Sequence, residues 1–181
     1  MHTFCYLFYS LLIPIILGYQ EFGWEYVGTT DNIQIFEKKT PADKYRSVRL
    51  LTYSSASVDE IVAAVEDVSS HPQWAFGAQS AEILKNYDSD SFIYYVIIDF
   101  PFPTKDRDLV VHYEKIHDDD NCSVKLVSKS VPEYIPQKGK YVRMEAYLSI
   151  YEISQVREGQ TQIIHEMQVS PGGKIPDWIV K

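Results

Sequence analysis

Residues 92–130 read FIYYVIIDFPFPTKDRDLVVHYEKIHDDDNCSVKLVSKS. Three runs rich in β-branched and aromatic residues, Phe92 to Phe100, Asp108 to Ile116 and Cys122 to Ser130, are separated by a proline-bearing loop and by the polar turn Asp118 to Asn121. Runs of this length between such turn residues predict consecutive antiparallel strands. Working outward, Ala81 to Tyr87 adds a strand before them, and Tyr141 to Ile153 and Gln160 to Val169 add two after them around the turn Arg157 to Gly159. In Tyr141 to Ile150 the even positions Val142, Met144, Ala146, Leu148 and Ile150 are apolar and the odd ones mostly polar, which predicts even positions inside. The last strand repeats this more weakly, with Ile163, His165, Met167 and Val169 on one face, so His165 is expected to point inward.

Upstream, Asn32 to Lys39 and Tyr45 to Tyr53 read as a hairpin around Thr40 to Asp43. Ser57 with Glu60 forms a capping box, and Val58, Ile61, Val62, Val65 and Val68 fall at helical spacing. An amphipathic helix is expected to end near Ser70, where His71-Pro72 stops it.

With 181 residues, 45% of them hydrophobic, the chain is long enough to bury a core and too apolar to be disordered. No repeat or linker divides it, so one domain is expected. Its 17 Lys+Arg stand against 25 Asp+Glu, a net charge of −8, and no basic run is present. That composition excludes a phosphate-tracking nucleic-acid binder and a polybasic membrane anchor. The 14 tyrosines suit strands that face a half-polar space, pointing to β structure around a pocket.

Phe4 to Leu17, FCYLFYSLLIPIIL, is fourteen residues without a charge. It is short of the roughly 20 apolar residues that span a bilayer, and Pro14 interrupts it. It reads as the apolar core of a signal peptide over residues 1–18, although Lys and Arg are absent before it and no Ala-x-Ala site follows. An exported, periplasmic or extracellular, domain over residues 19–181 is expected; without signal function the chain would be cytoplasmic. Cys5 falls in the segment removed, leaving Cys122 with no partner for an internal disulfide.

Several separated motifs occur in order: Trp24; the Val58 to Val68 helix followed by His71-Pro72 and Trp74; Pro101-Phe102-Pro103-Thr104-Lys105-Asp106-Arg107-Asp108; and Pro171-Gly172-Gly173-Lys174-Ile175-Pro176-Asp177-Trp178. Together they resemble the START (steroidogenic-acute-regulatory-related lipid-transfer) domain over nearly everything from Phe22 to Lys181. The resemblance implies an α+β helix-grip fold, in which a curved antiparallel sheet with N-terminal helices wraps a long C-terminal helix and encloses an apolar cavity for one lipid. Burying such a ligand gains roughly 25 cal/mol per Å², so one or two polar contacts suffice for specificity.

The residues expected to line that cavity are Val96 and Ile98 before the proline loop, Arg107, Val111 and Tyr113 after it, then Met144, Ala146 and Leu148, and His165 and Met167. Arg107 either meets a lipid headgroup or, with Asp108, anchors the loop through a carboxylate and backbone carbonyls. Sterol-binding relatives often carry an interior acid and base at the positions that Val96 and Tyr113 hold here. The departure leaves a more apolar cavity with a phenol as hydrogen-bond donor. His165-Glu166 begins a zinc-protease motif, but Val169 stands where its second ligand is needed, and Asp118 to Asp120 lacks the spacing of a calcium loop. No catalytic residue, metal or cofactor is expected.

Five residues follow Pro176, about 7 Å of helix, where the family continues into its closing helix. The expectation is an incomplete C-terminal helix, weak lipid binding and self-association through the uncovered face. A non-enzymatic lipid-binding or transfer protein, with a lipid or other hydrophobic small molecule as partner and transient membrane contact, fits best. Two rivals share the frame: a helix-grip enzyme such as a cyclase, which needs an inward acid or base from His165 or Tyr113, and a lipid-gated interaction module.

Overall fold

The computed structural model describes residues 23–39, 47–118, 123–173 and 175. The expected signal segment, both cysteines and the closing turn at 176–181 lie outside the described residues. Ten strands make one sheet: β1 (Glu25–Thr30), β2 (Ile33–Lys38), β3 (Ser47–Ser54), β4 (Ala78–Asn86), β5 (Ser91–Ile98), β6 (Arg107–Asp118), β7 (Ser123–Ser130), β8 (Val142–Arg143), β9 (Ala146–Arg157) and β10 (Gln160–Ser170). The order is β1-β2-β3-β10-β9-β7-β6-β5-β4, antiparallel throughout, with short β8 lying parallel to β6. The curved sheet is not closed, and β1 and β4 are its edges.

β1 was not foreseen. Thr30 pairs with Ile33 across Asp31 and Asn32, both at positive φ, a two-residue turn whose twist matches the strands it joins. The other strand expectations hold within a few residues, except that Tyr141 to Ile153 is two strands rather than one.

The connection from β3 to β4 carries α1 (Val58–Glu66), a 3₁₀ turn (Val68–Ser70) and α2 (His71–Trp74). The capping box is present: Ser57 Oγ accepts from the Glu60 amide at 3.3 Å and the Ser57 amide donates to Glu60 Oε2 at 2.8 Å. The helix breaks at Asp67 (ψ 77°), not at His71-Pro72. Proline lacks the amide that a first helical turn leaves unbonded anyway, so Pro72 opens α2 instead of ending α1.

α1 packs across β7 and β9 and defines the inner face of the sheet. Val62, Val68, Phe92, Tyr94, Val96, Leu109, Val111, Tyr113, Leu126, Met144 and Ile153 form its buried cluster. Each fully buried aliphatic side chain contributes about 1.5–3 kcal/mol. The outer face holds a smaller cluster, Ile93, Tyr95 and Val110, under Val131 and Ile135 of the β7–β8 connection. Asp108 and Arg143 fix that cover: Arg143 Nε and Nη2 donate to the two Asp108 carboxylate oxygens at 3.0 and 2.9 Å, Tyr95 donates to Asp108 at 3.0 Å, and Arg143 reaches the carbonyls of Pro132 and Ile135.

The alternation expected across Tyr141 to Ile150 does not hold. Val142 and Met144 donate to the Asp106 and Asp108 carbonyls, so this stretch runs beside β6 with Met144 inside. The chain then leaves β6, and Ser130 clips the junction by donating to the Glu145 carbonyl and accepting from the Tyr147 amide. Beyond the junction the odd positions are inside. Tyr147, Tyr151 and Ile153 join the inner cluster, whereas Leu148 and Ile150 line a hollow of about 200 Å³ on the outer face with Trp24 and Lys38.

Candidate functional site

The inner face divides into two regions. Around β5 and β6 it is sealed: α1, the 3₁₀ turn and α2 cover Phe92, Tyr94, Val96, Val111 and Tyr113. His71 locks this cover, its Nε2 3.0 Å from the Val65 carbonyl and its ring edge-on to both Trp74 and Tyr94. Around β2, β3 and β10 the face is more open, and Ile35, Val48, Leu50, His165 and Met167 are only partly buried. Strand pairing puts them side by side, since Ile35 opposes Leu50, Leu50 opposes His165, and Met167 opposes both Val48 and Ser149. An open groove of about 320 Å³ runs beside α1, lined by Ala56, Ile61, Ala64, Val65 and Trp74 with Glu60 at its rim. Both hollows described, this groove and the one on the outer face, are open to solvent.

A line of polar groups interrupts this apolar surface. The Tyr94 hydroxyl lies near Ser128, and the Tyr147 hydroxyl near Ser149. Ser149 Oγ lies 2.9 Å from His165 Nε2, and the His165 ring lies flat on Tyr151. Ser128 and Ser149 are direct cross-strand partners, which makes the line continuous over β5, β7, β9 and β10. Burial pushes the hydroxyls of Tyr94, Tyr147 and Tyr151 above the ordinary phenol range and lowers His165 to about 4. All four groups are therefore uncharged at neutral pH.

The expected lining residues separate accordingly. Val96, Val111, Tyr113 and Met144 lie in the inner cluster and Ile98 packs against it. His165 and Met167 lie on the open part of the inner face. Ala146 and Leu148 are on the outer face, because the junction at Glu145 shifts the period by one residue. Tyr113 stacks on Phe92 at 4.4 Å and its hydroxyl donates to Glu66 Oε1 at 2.8 Å, so the phenol expected to serve a ligand already has its acceptor. Glu66 also accepts from Lys115 at 2.9 Å, and Lys115 pairs with Asp90.

Arg107 is 1% exposed and meets protein rather than solvent. It donates to the carbonyls of Lys105, Pro171 and Gly172, and its guanidinium lies 4.1 Å from the Phe100 ring centre. Gly172 (φ 66°) is packed so close that a Cβ would meet the Arg143 carbonyl at 3.3 Å. The proline loop and the Pro-Gly-Gly segment, far apart in sequence, are thus one fastening, and the headgroup role weighed for Arg107 gives way to the anchoring one. Its carboxylate neighbour Asp108 serves the outer face instead.

Tyr94, Tyr147, Tyr151, Ser128 and Ser149 were missed. The abundance of tyrosine signalled a half-polar inner surface, but which tyrosines face it depends on the Glu145 junction, which periodicity cannot place.

A curved antiparallel sheet that is not closed, with helices packed on one face, defines a helix-grip protein. The sequence profile of the START domain matches residues 19–181, and the chain belongs to that family. An uncharacterized protein of Pseudomonas aeruginosa is 26% identical over 156 residues, 86% of this chain and 76% of that one. Among solved structures, a fragment (25–204) of the STAR-related lipid transfer protein of Xanthomonas axonopodis superposes with a TM-score of 0.79 at 22% identity, covering 87% of each chain. Human StAR-related lipid transfer protein 5 gives 0.76 at 12% identity, over 87% of this chain and 77% of that one. The lipid transfer and protein localization domain of human StarD13 gives 0.74 at 22% identity, over 88% and 80%.

Proposed function

We propose that this protein binds one lipid between the open part of the inner face and α1, and acts as a non-enzymatic lipid-binding or lipid-transfer protein. The observation that carries the reading is the partly buried apolar surface of Ile35, Leu50 and Met167 on the inner face, together with the apolar groove beside α1 at Ile61 and Val65; family membership supports a hydrophobic ligand. Removing such surface from water stabilises a bound acyl chain or ring system by roughly 25 cal/mol per Å². The engagement of Tyr113 with Glu66 supports the non-enzymatic reading, because it leaves that phenol no role toward a substrate.

Transfer requires contact with a membrane. Phe76, after α2, and Phe102, in the β5–β6 loop, are 102% and 92% exposed and stand at the same end of the sheet, where the Asp99 amide donates to the Gly77 carbonyl. They supply apolar anchors for transient docking. The uncharged segment Phe4 to Leu17 supports export, which makes the carrier a periplasmic or extracellular one.

Native mass spectrometry of the full chain after expression, with organic extraction of what co-purifies, tests the proposal. One lipid per chain, exchangeable with vesicle lipid, is the expected result. A folded chain that neither carries nor acquires any lipid overturns it.

A further inference from the structure

The reading above leaves the ligand's polar end unspecified. We propose that Ser149 and His165, braced by Tyr147 and Tyr151, form a recognition site for the uncharged hydroxyl head of a lipid, so that the protein selects hydroxylated neutral lipids over phospholipids and fatty acids. The inference rests on the carrier reading and adds the class of lipid.

Placement comes first. His165 is half-buried on the inner face with Leu50 beside it, and the buried Ser149, 3% exposed, lies next to it with Met167 as its cross-strand partner. Ser149 Oγ is engaged by His165 Nε2 at 2.9 Å, with the Tyr147 side chain nearby on the same face. The second imidazole nitrogen, Nδ1, has no partner among the described residues, and no buried side-chain nitrogen or oxygen among them lacks one, so Nδ1 is accessible. The ring cannot swing aside to reach another partner without leaving Tyr151, on which it is stacked at 3.8 Å.

Chemistry then sets the ligand. A neutral imidazole carries one donor and one acceptor, and a serine hydroxyl bridges to either tautomer. If Ser149 donates to Nε2, then Nδ1–H donates outward; if Nε2–H donates to Ser149, then Nδ1 accepts. A ligand hydroxyl satisfies both states, whereas a carboxylate or phosphate satisfies only one and brings a charge.

Charge decides between the classes. By strand pairing, the cations on the inner face among the described residues are Arg107 and Lys115, on β6. Arg107 is held by the carbonyls of Lys105, Pro171 and Gly172, and Lys115 by Glu66 and Asp90. Neither adjoins Ser149 or His165, which sit two and three strands away on β9 and β10. An anionic head placed there would lose its hydration with no counter-charge from the described residues, a penalty of several kcal/mol. The low proton affinity of the buried His165 keeps the imidazole from supplying that charge near neutral pH.

The test is extraction by the full chain from phosphatidylcholine vesicles that carry, in separate samples, a sterol, a diacylglycerol, oleate or phosphatidylglycerol, at pH 7. Uptake of the sterol or diacylglycerol at least tenfold above the two anions is expected. His165→Leu is expected to lower that uptake about tenfold and His165→Gln, which keeps a neutral donor and acceptor, to retain most of it, with thermal unfolding confirming that both variants fold. Preference for oleate, phosphatidylglycerol or the host phosphatidylcholine, or unchanged sterol and diacylglycerol uptake by folded His165→Leu, overturns this inference alone; uptake of none of the four lipids and of no phosphatidylcholine overturns the carrier reading with it.

Discussion

The imidazole of His165 lies flat on the ring of Tyr151, 3.8 Å between centres and 8° between planes, although the two belong to neighbouring strands. The stack and the Ser149 hydrogen bond hold the ring where burial opposes its protonation. The unfolded chain protonates His165 near 6.5 and the folded one near 4, so the unfolded state binds more protons between these values. His165 therefore subtracts stability as pH falls below about 6.5, reaching about 3 kcal/mol below pH 4. Urea unfolding at pH 7.5, 6, 5 and 4 should show the native chain losing more stability than His165→Gln across that window. Parallel loss in the two proteins would show that the imidazole titrates freely.

Asp108 and Arg143 form a buried pair on the outer face, with Tyr95 and two carbonyls completing their hydrogen bonds. Removing one partner strands the other charge, so Arg143→Met should cost about 3–5 kcal/mol in urea unfolding. Adding Asp108→Asn to Arg143→Met should cost less than the sum of the two single changes. Additive losses would mean that the two residues act independently.

Arg107 joins the proline loop to Pro171 and Gly172 through backbone carbonyls. Arg107→Lys keeps the charge but not the planar fork, and should lower stability by about 2 kcal/mol while leaving the ranking of lipids unchanged. A changed ranking at unchanged stability would return Arg107 to the headgroup role.

The strand and helix content was legible because its signals are local. Alternation over four to eight residues located most strands, and Ser57 with Glu60 located the start of α1 within its own turn. Two short-range signals were available and unused: the Asp31-Asn32 turn that creates β1, and proline's tolerance at a helix start, which makes Pro72 open α2. The inner face of β9 was of another kind. Its parity is set where Met144 follows β6 and Tyr147 joins β7 and β10, a switch between non-local partners with no signature of its own. One misplaced residue there sent Leu148 inward on paper and kept Tyr147, Ser149 and Tyr151 out of the site. The role of Arg107 was half legible, because a proline-flanked loop needs an anchor, but its carbonyl partners at Pro171 and Gly172 lie more than sixty residues away.

In the proposed membrane docking, Phe76 and Phe102 are the anchors. Both are almost wholly exposed, at one end of the sheet, in a chain whose net charge of −8 disfavours adhesion to anionic surfaces. Exposed aromatic rings are a liability for a protein that stays in water, and at a bilayer surface each gains about 1–2 kcal/mol from partial burial. Two such gains act together because the rings share one rim, so the double variant Phe76→Ser/Phe102→Ser should lose about tenfold or more in binding to neutral phosphatidylcholine vesicles. Its thermal midpoint should be unchanged, since neither ring packs on the core. Lipid transfer between vesicles should fall in parallel, while lipid already bound in the groove beside α1 remains bound. Vesicle binding that survives the double change, or that rises with anionic lipid content, would place the docking surface elsewhere on the molecule.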